Sequence, residues 1–129
     1  MKLKIIEKTS SRSFEPKAGF SKSGYFSLNK SAQEKYNIQE GQKIMIVQDE
    51  DKTTDFYLIC TEREGFPKLR FMNASTTLVA GYSDAMRAIL NQYGLPKQRF
   101  QVRLGGQIKT ELGHAICLIT AHLKEVNNA

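Results

Sequence analysis

The sequence predicts an α+β fold, mainly β, in which two related β-α-β-β units form one compact, barrel-like domain with two short helices. Three observations carry that expectation. Most apolar residues fall in short runs of strand length, rich in β-branched and aromatic side chains. Only two stretches combine helical spacing with start and stop signals. The order strand, helix, turn, strand, loop, strand occurs twice, over 22–62 and again over 76–123.

A chain of 129 residues suits a single domain over 1–129, long enough to bury a core without metals or disulfides. Lys2 to Glu7 alternates weakly and suggests a short strand. Thr9 to Ser23 is rich in Ser, Lys and Gly and contains Pro16, which reads as an extended arm holding Arg12, Lys17 and Lys22. Phe14 and Phe20 either tuck that arm onto the body or stand out as stacking groups. Gly24 to Leu28 reads as a strand. The first helix follows, capped by Ser31 with Glu34 as a capping box, or by Asn29. Ala32 and Tyr36 share one face at i and i+4, and Asn37 suits a left-handed exit. Gly41 turns the chain into the apolar strand around Ile44 and Ile46. A polar connection, Asp49 to Asp55, links it to the strand Phe56 to Thr61, giving a hairpin.

Gly65-Phe66-Pro67 breaks the chain. Strands are expected over Lys68 to Met72 and Thr76 to Ala80. Ser83 caps the stronger helix, where Met86, Ile89, Leu90 and Tyr93 follow the i, i+3, i+4, i+7 rule. Gly94-Leu95-Pro96 stops it. From Arg99 to Leu104, Phe100, Val102 and Leu104 alternate with Arg99, Gln101 and Arg103. Gly105-Gly106 suits a two-residue hairpin turn. The last strand is expected over His114 to Leu123, followed by a polar tail.

The two units correspond through Tyr36-Asn37-Ile38 and Tyr93-Gly94-Leu95, through Ile44 and Ile46 against Phe100 and Val102, and through Phe56–Thr61 against Ala115–Thr120. One unit has too little core to stand alone, so two packed together make physical sense.

Charge points to the partner class. Nineteen Lys and Arg against thirteen Asp and Glu give a net charge of +6, with a pI near 9.4. That balance suits a polyanion. No run approaches the roughly 20 apolar residues of a membrane helix, and the start of the chain does not read as a signal peptide. Cys60 and Cys117 lie in apolar runs, as reduced core thiols do. A cytoplasmic, membrane-free setting is the expectation.

No local motif predicts catalysis, so the chain is expected to be a non-enzyme without a cofactor. His114 and Cys117, three apart in a strand, point to opposite faces and make a poor metal pair. The acidic run at Asp49 lacks the glycine and distal Glu of a calcium loop. Gly105-Gly106 is followed by neither a P-loop Lys nor a helix.

Lys22-Ser23-Gly24-Tyr25-Phe26-Ser27-Leu28-Asn29-Lys30, then Gln33 to Tyr36, then Ile38-Gln39-Glu40-Gly41-Gln42-Lys43-Ile44-Met45-Ile46 resembles the swapped-hairpin domain of the AbrB, SpoVT and MazE family of regulators and antitoxins. The likeness covers residues 22–46. Two positions depart from it. Asn29 stands where that family usually has Pro, and Lys43 follows Gln42 where an acidic residue is common. The resemblance implies a DNA-binding barrel, made elsewhere by two chains and here within one. It aligns Lys22 and Lys30 with basic positions that grip DNA.

The residues themselves widen that set. Lys17, Lys22 and Lys30 cluster in and after the arm, and Arg99 and Arg103 share a strand face with Gln101. DNA is therefore the expected partner, held through Lys17, Lys22, Lys30, Arg99 and Arg103 by backbone contacts. The alternative is a structural or protein-interaction component of an assembly such as a phage particle. Its strand edges and Phe-bearing arm would then dock a protein partner or a second copy.

Overall fold

In the computed structural model, which describes residues 1–4, 15–73 and 75–127, the strands alternate buried and exposed side chains as a one-sided sheet requires. The first half contains β1 (Lys17–Phe20), β2 (Tyr25–Leu28), α1 (Lys30–Tyr36), β3 (Lys43–Gln48) and β4 (Phe56–Thr61). The second contains β5 (Arg70–Phe71), β6 (Leu78–Gly81), α2 (Ser83–Gln92), β7 (Phe100–Thr110) and β8 (Gly113–Ile119), and α3 (Leu123–Asn127) follows. Among the described residues the eight strands form one antiparallel sheet in the order β3-β4-β8-β7-β1-β2-β6-β5.

The sheet curls into a half-barrel, and its two margins meet. Lys43 on β3 bridges to Lys68 just ahead of β5. Ile44 N donates to Pro67 O (3.0 Å) and Leu69 N donates to Gln42 O (2.9 Å). The next edge-facing amide of β3, Ile46 N, donates to the Tyr82 hydroxyl at 3.0 Å. An edge strand that would otherwise present open amides is thus largely covered from within.

Apolar residues of alternate strand positions fill the curl. Phe20 stacks on Phe100 with ring centroids 4.8 Å apart and meets Phe26 edge-on at 5.2 Å. Leu28, Leu58, Leu78 and Ile116 join them, and α2 adds its buried face of Ala85, Met86, Ile89 and Leu90. Tyr93 carries that face to its end: its hydroxyl meets Thr120 Oγ1 at 2.7 Å, and Thr120 Oγ1 donates to Thr54 O. The polar contact that closes the core is therefore itself satisfied.

Several local expectations change. Lys17–Phe20 is not part of an arm but a strand, hydrogen-bonded between β2 and β7. Phe20 is 1 % exposed and belongs to the core, whereas Phe14, Arg12 and half of the first expected strand (5–7) lie outside the described residues. Each half therefore leads with an extra strand ahead of its helix. Gly105 and Gly106 do not turn a hairpin. They sit inside β7 at a bulge between Leu104 and Gln107, and the turn comes at Glu111-Leu112. The last strand stops at Ile119, and a third helix follows because Leu123 turns back to be buried. Asn29, not Ser31, caps α1, and α2 starts at Ser83 after Tyr82. The cysteines are not core thiols: Cys60 is exposed near the end of β4, and Cys117 is half-buried.

Because β4 pairs with β8, β1 with β7 and β2 with β6, neither half can lose its strands without exposing the other. Urea unfolding should therefore be a single transition, with far-ultraviolet circular dichroism and tyrosine emission coincident. Two separated transitions would show that the halves fold independently.

Candidate nucleic-acid interface

The outer face of β7, β1 and β2 collects most of the basic residues singled out above. Val102, Leu104 and Phe100 turn inwards, which leaves Gln101 and Arg103 exposed on the other side. Register then sets the neighbours. Arg103 is the direct cross-strand partner of Lys17, Gln101 of Gly19, and Gly19 in turn of Ser27. Lys22 occupies the exposed β1–β2 turn, and Arg99 lies one residue beyond the Phe20–Phe100 pair at the same end. Arg99 and Arg103 thus mark the ends of a strip roughly 13 Å long at about 3.3 Å per residue.

Beside that strip lies a groove of about 560 Å³ lined by Lys17, Gly19, Ser27, Asn29, Lys30 and Gln101, together with Glu34, Thr76 and Thr77. Gly19 and Ser27 make its floor. A Cβ at Gly19 would meet Ser27 Oγ at 2.9 Å, so the glycine keeps the floor low. Asn29 builds the wall. Its Oδ1 accepts from Ala32 N (2.9 Å) and from Lys17 N (3.1 Å), and its Nδ2 donates to Glu15 O at 2.8 Å. Its backbone N also donates to Lys17 O at 3.1 Å, a bond that proline could not make. One side chain therefore caps the helix and fixes the start of β1, which gives a physical reason for Asn where the resembling family has Pro. Gln33 Nε2 donates to Thr76 O at 2.7 Å and ties the threonine wall to α1.

The cations in this region differ in how they are engaged. Lys30 Nζ lies 3.8 Å from Glu34 Oε1, an exposed i,i+4 pair that leaves its charge largely available. Lys17, Lys22, Arg99 and Arg103 have no ion pair among the described residues. Placing like charges directly across two strands is unfavourable by itself. Lys17 beside Arg103 therefore accumulates positive potential that an anion would relieve.

Of the five predicted site residues, Lys17 and Arg103 come together, and Lys30 lines the same groove as Lys17. Lys22 and Arg99 lie near the other end of β1. Sequence reading missed Ser27, Asn29, Thr76 and Thr77. The signal for Lys17 lay in the alternation Lys17-Ala18-Gly19-Phe20, masked by Pro16 and by glycine's weak strand preference.

A second depression, of about 670 Å³, lies on the same outer side and is lined by Tyr25, Phe66, Pro67, Gly24, Gly81 and Tyr82, among others. Tyr25 is the Cα partner of Gly81. Comparison with family models, with curated proteins and with solved structures finds no match to this chain.

Proposed function

We propose that this protein binds nucleic acid, DNA by its resemblance to the AbrB-like regulators, and acts in the cytoplasm without catalysis. The observation that carries the reading is the cross-strand pair Lys17–Arg103 beside a groove that Lys17 and Lys30 both line. Arg and Lys on an open strand face, with hydroxyl and amide groups around them, suit phosphate oxygens rather than base edges. Lys22 and Arg99 extend the track. Fluorescence anisotropy of labelled duplex and single-stranded DNA over a salt series tests it. Micromolar or tighter binding is expected, with log affinity falling linearly against log salt and a slope equivalent to about three to five phosphate contacts. No binding to either strand form at low salt would reduce the basic face to a solubility feature.

We further read the two halves as a duplicated unit that forms a pseudo-dimer in one chain. Two facts support it. Each half runs strand, strand, helix, strand, strand. If the sheet order is taken as a ring through the Lys43–Lys68 bridge, exchanging β1–β4 with β5–β8 reproduces the same ring.

One observation favours the alternative, an assembly component. The outer face of β3, β4 and β8 is apolar: Met45, Ile59 and Ala115 are buried there, while Ile108 and Leu112 stand 49 % and 39 % exposed nearby. A defined oligomer or a co-purifying protein, with no retention on heparin, would favour that reading over nucleic acid.

A further inference from the structure

The two depressions on the outer face differ in chemistry, and they adjoin. Ser27 lines the basic groove, and Tyr25, two residues along the same strand face, lines the second. Their separation along β2 is roughly 7 Å. The second depression has no Lys or Arg in its lining. Its one carboxylate, Asp84, is engaged by Arg87 Nη2 at 2.9 Å. What the depression offers instead is an accessible aromatic ring within a lining of mixed polar and apolar surface. Tyr25 is 47 % exposed, and its Cε1 would lie 4.0 Å from a Cβ at Gly81. The ring thus leans on bare backbone on one side and faces outwards on the other. Phe66 and Pro67 also line the depression, and Phe66 packs at the same time against Met45, Ile59 and Ala115. Gly24 and Gly65 complete the lining with Ser23, Tyr82 and Ser83.

We infer that this cleft is a stacking site for an unpaired nucleobase, so that the strand recognised is single-stranded DNA, with its phosphates in the basic groove and a base on Tyr25. The inference rests on the nucleic-acid reading above and adds the strand form. A charged backbone belongs beside Lys17, Arg103 and Lys30, and a neutral aromatic ring belongs against Tyr25, in a lining that carries no cation. A cleft of about 670 Å³ lies within the range of roughly 300–1,000 Å³ in which small groups are usually held. A duplex keeps its bases stacked and cannot fill it without unpairing.

The test compares the full chain with its Tyr25→Ala and Tyr25→Phe variants, using fluorescein-labelled dT12 and a labelled duplex of equal length over a salt series. Tyr25→Ala should weaken dT12 binding by about ten- to a hundredfold, the usual loss of one stacked base. Its salt slope should not change, because no phosphate contact is removed. Tyr25→Phe should restore affinity for dT12, and duplex binding should not differ among the three proteins. Equal dT12 affinity for Tyr25→Ala and the parent protein would overturn the stacking site while leaving nucleic-acid binding intact. Absence of binding to both probes by the parent protein would overturn the underlying reading, and the stacking site with it. Tyr25 is exposed and its amide is held by Ser21 Oγ (3.0 Å), so neither variant removes a core contact.

Discussion

Replacing Gly24 with alanine should destabilise the protein by about 2–6 kcal/mol, a large share of the 5–15 kcal/mol typical of a domain. Two costs combine. Gly24 has φ 95°, which a residue with a Cβ adopts only under strain. The added Cβ would also lie 2.6 Å from Ser83 Cβ and 3.0 Å from Ser83 Cα. Neither neighbour can easily move. The β1–β2 turn is held by Gly24 N donating to Ser21 O at 3.0 Å, and Tyr82 N donates to Gly24 O at 2.8 Å, which presses the turn against the start of α2. Gly41 provides the control. Its φ is 92°, but nothing lies within 4 Å of its added Cβ. Gly41→Ala should therefore cost only the strain, about 1–3 kcal/mol. Thermal unfolding measures both, and Gly24→Ala should lower Tm by on the order of 10–20 °C. Combining it with Ser83→Gly should recover part of the loss, because the two positions touch. Equal melting of the Gly24 and Gly41 variants would mean that the turn does not abut α2.

Reversing both charges of the cross-strand pair, Lys17→Glu with Arg103→Glu, should weaken nucleic-acid binding by about a hundredfold, at roughly one charge-assisted contact per residue. The salt slope should fall by about two contacts' worth. Stability should change little, because the reversal exchanges one like-charge pair for another. The control alters net charge equally, away from the groove: Lys109→Glu with Lys124→Glu, both exposed. Anisotropy at fixed ionic strength separates the two pairs. A similar loss in both would mean that only net charge attracts the polyanion, and the Lys17–Arg103 pair would then have no special role. Because Glu34 already lies near Lys30, charge reversal at Lys30 alone should cost less than at Lys17.

The elements that the sequence made legible are those whose signals are local. The hydrophobic spacing of Met86, Ile89, Leu90 and Tyr93 located α2 and its buried face, because a helix repeats within its own turns. Alternation from Phe100 to Leu104 oriented β7 and so put Gln101 and Arg103 outside. Asn37 and Gly41 announced backbone of positive φ, at 53° and 92°. Local signals misled where a longer-range partner decides the outcome. Gly105-Gly106 has the composition of a turn. It is held extended because β8 pairs along β7 on both sides of a bulge, and because the Tyr36 hydroxyl donates to Gly105 O. Lys17–Phe20 has the composition of an arm. It is a strand because β2 and β7 pair with it from both sides and bury Ala18 and Phe20.

The candidate site divides in the same way. By itself, the amino-acid sequence determined which cations are present, the strand face that Gln101 and Arg103 share, the mainly β class and the basic balance, since each depends on residue type and nearest neighbours. Only the tertiary structure decided that Lys17 stands beside Arg103, that Asn29 joins the start of α1 to β1, and that Tyr25 faces Gly81. Those pairs are separated by many residues along the chain. Their register is fixed by burying one face of every strand together, and a slip of one residue would turn each of these side chains to the opposite face.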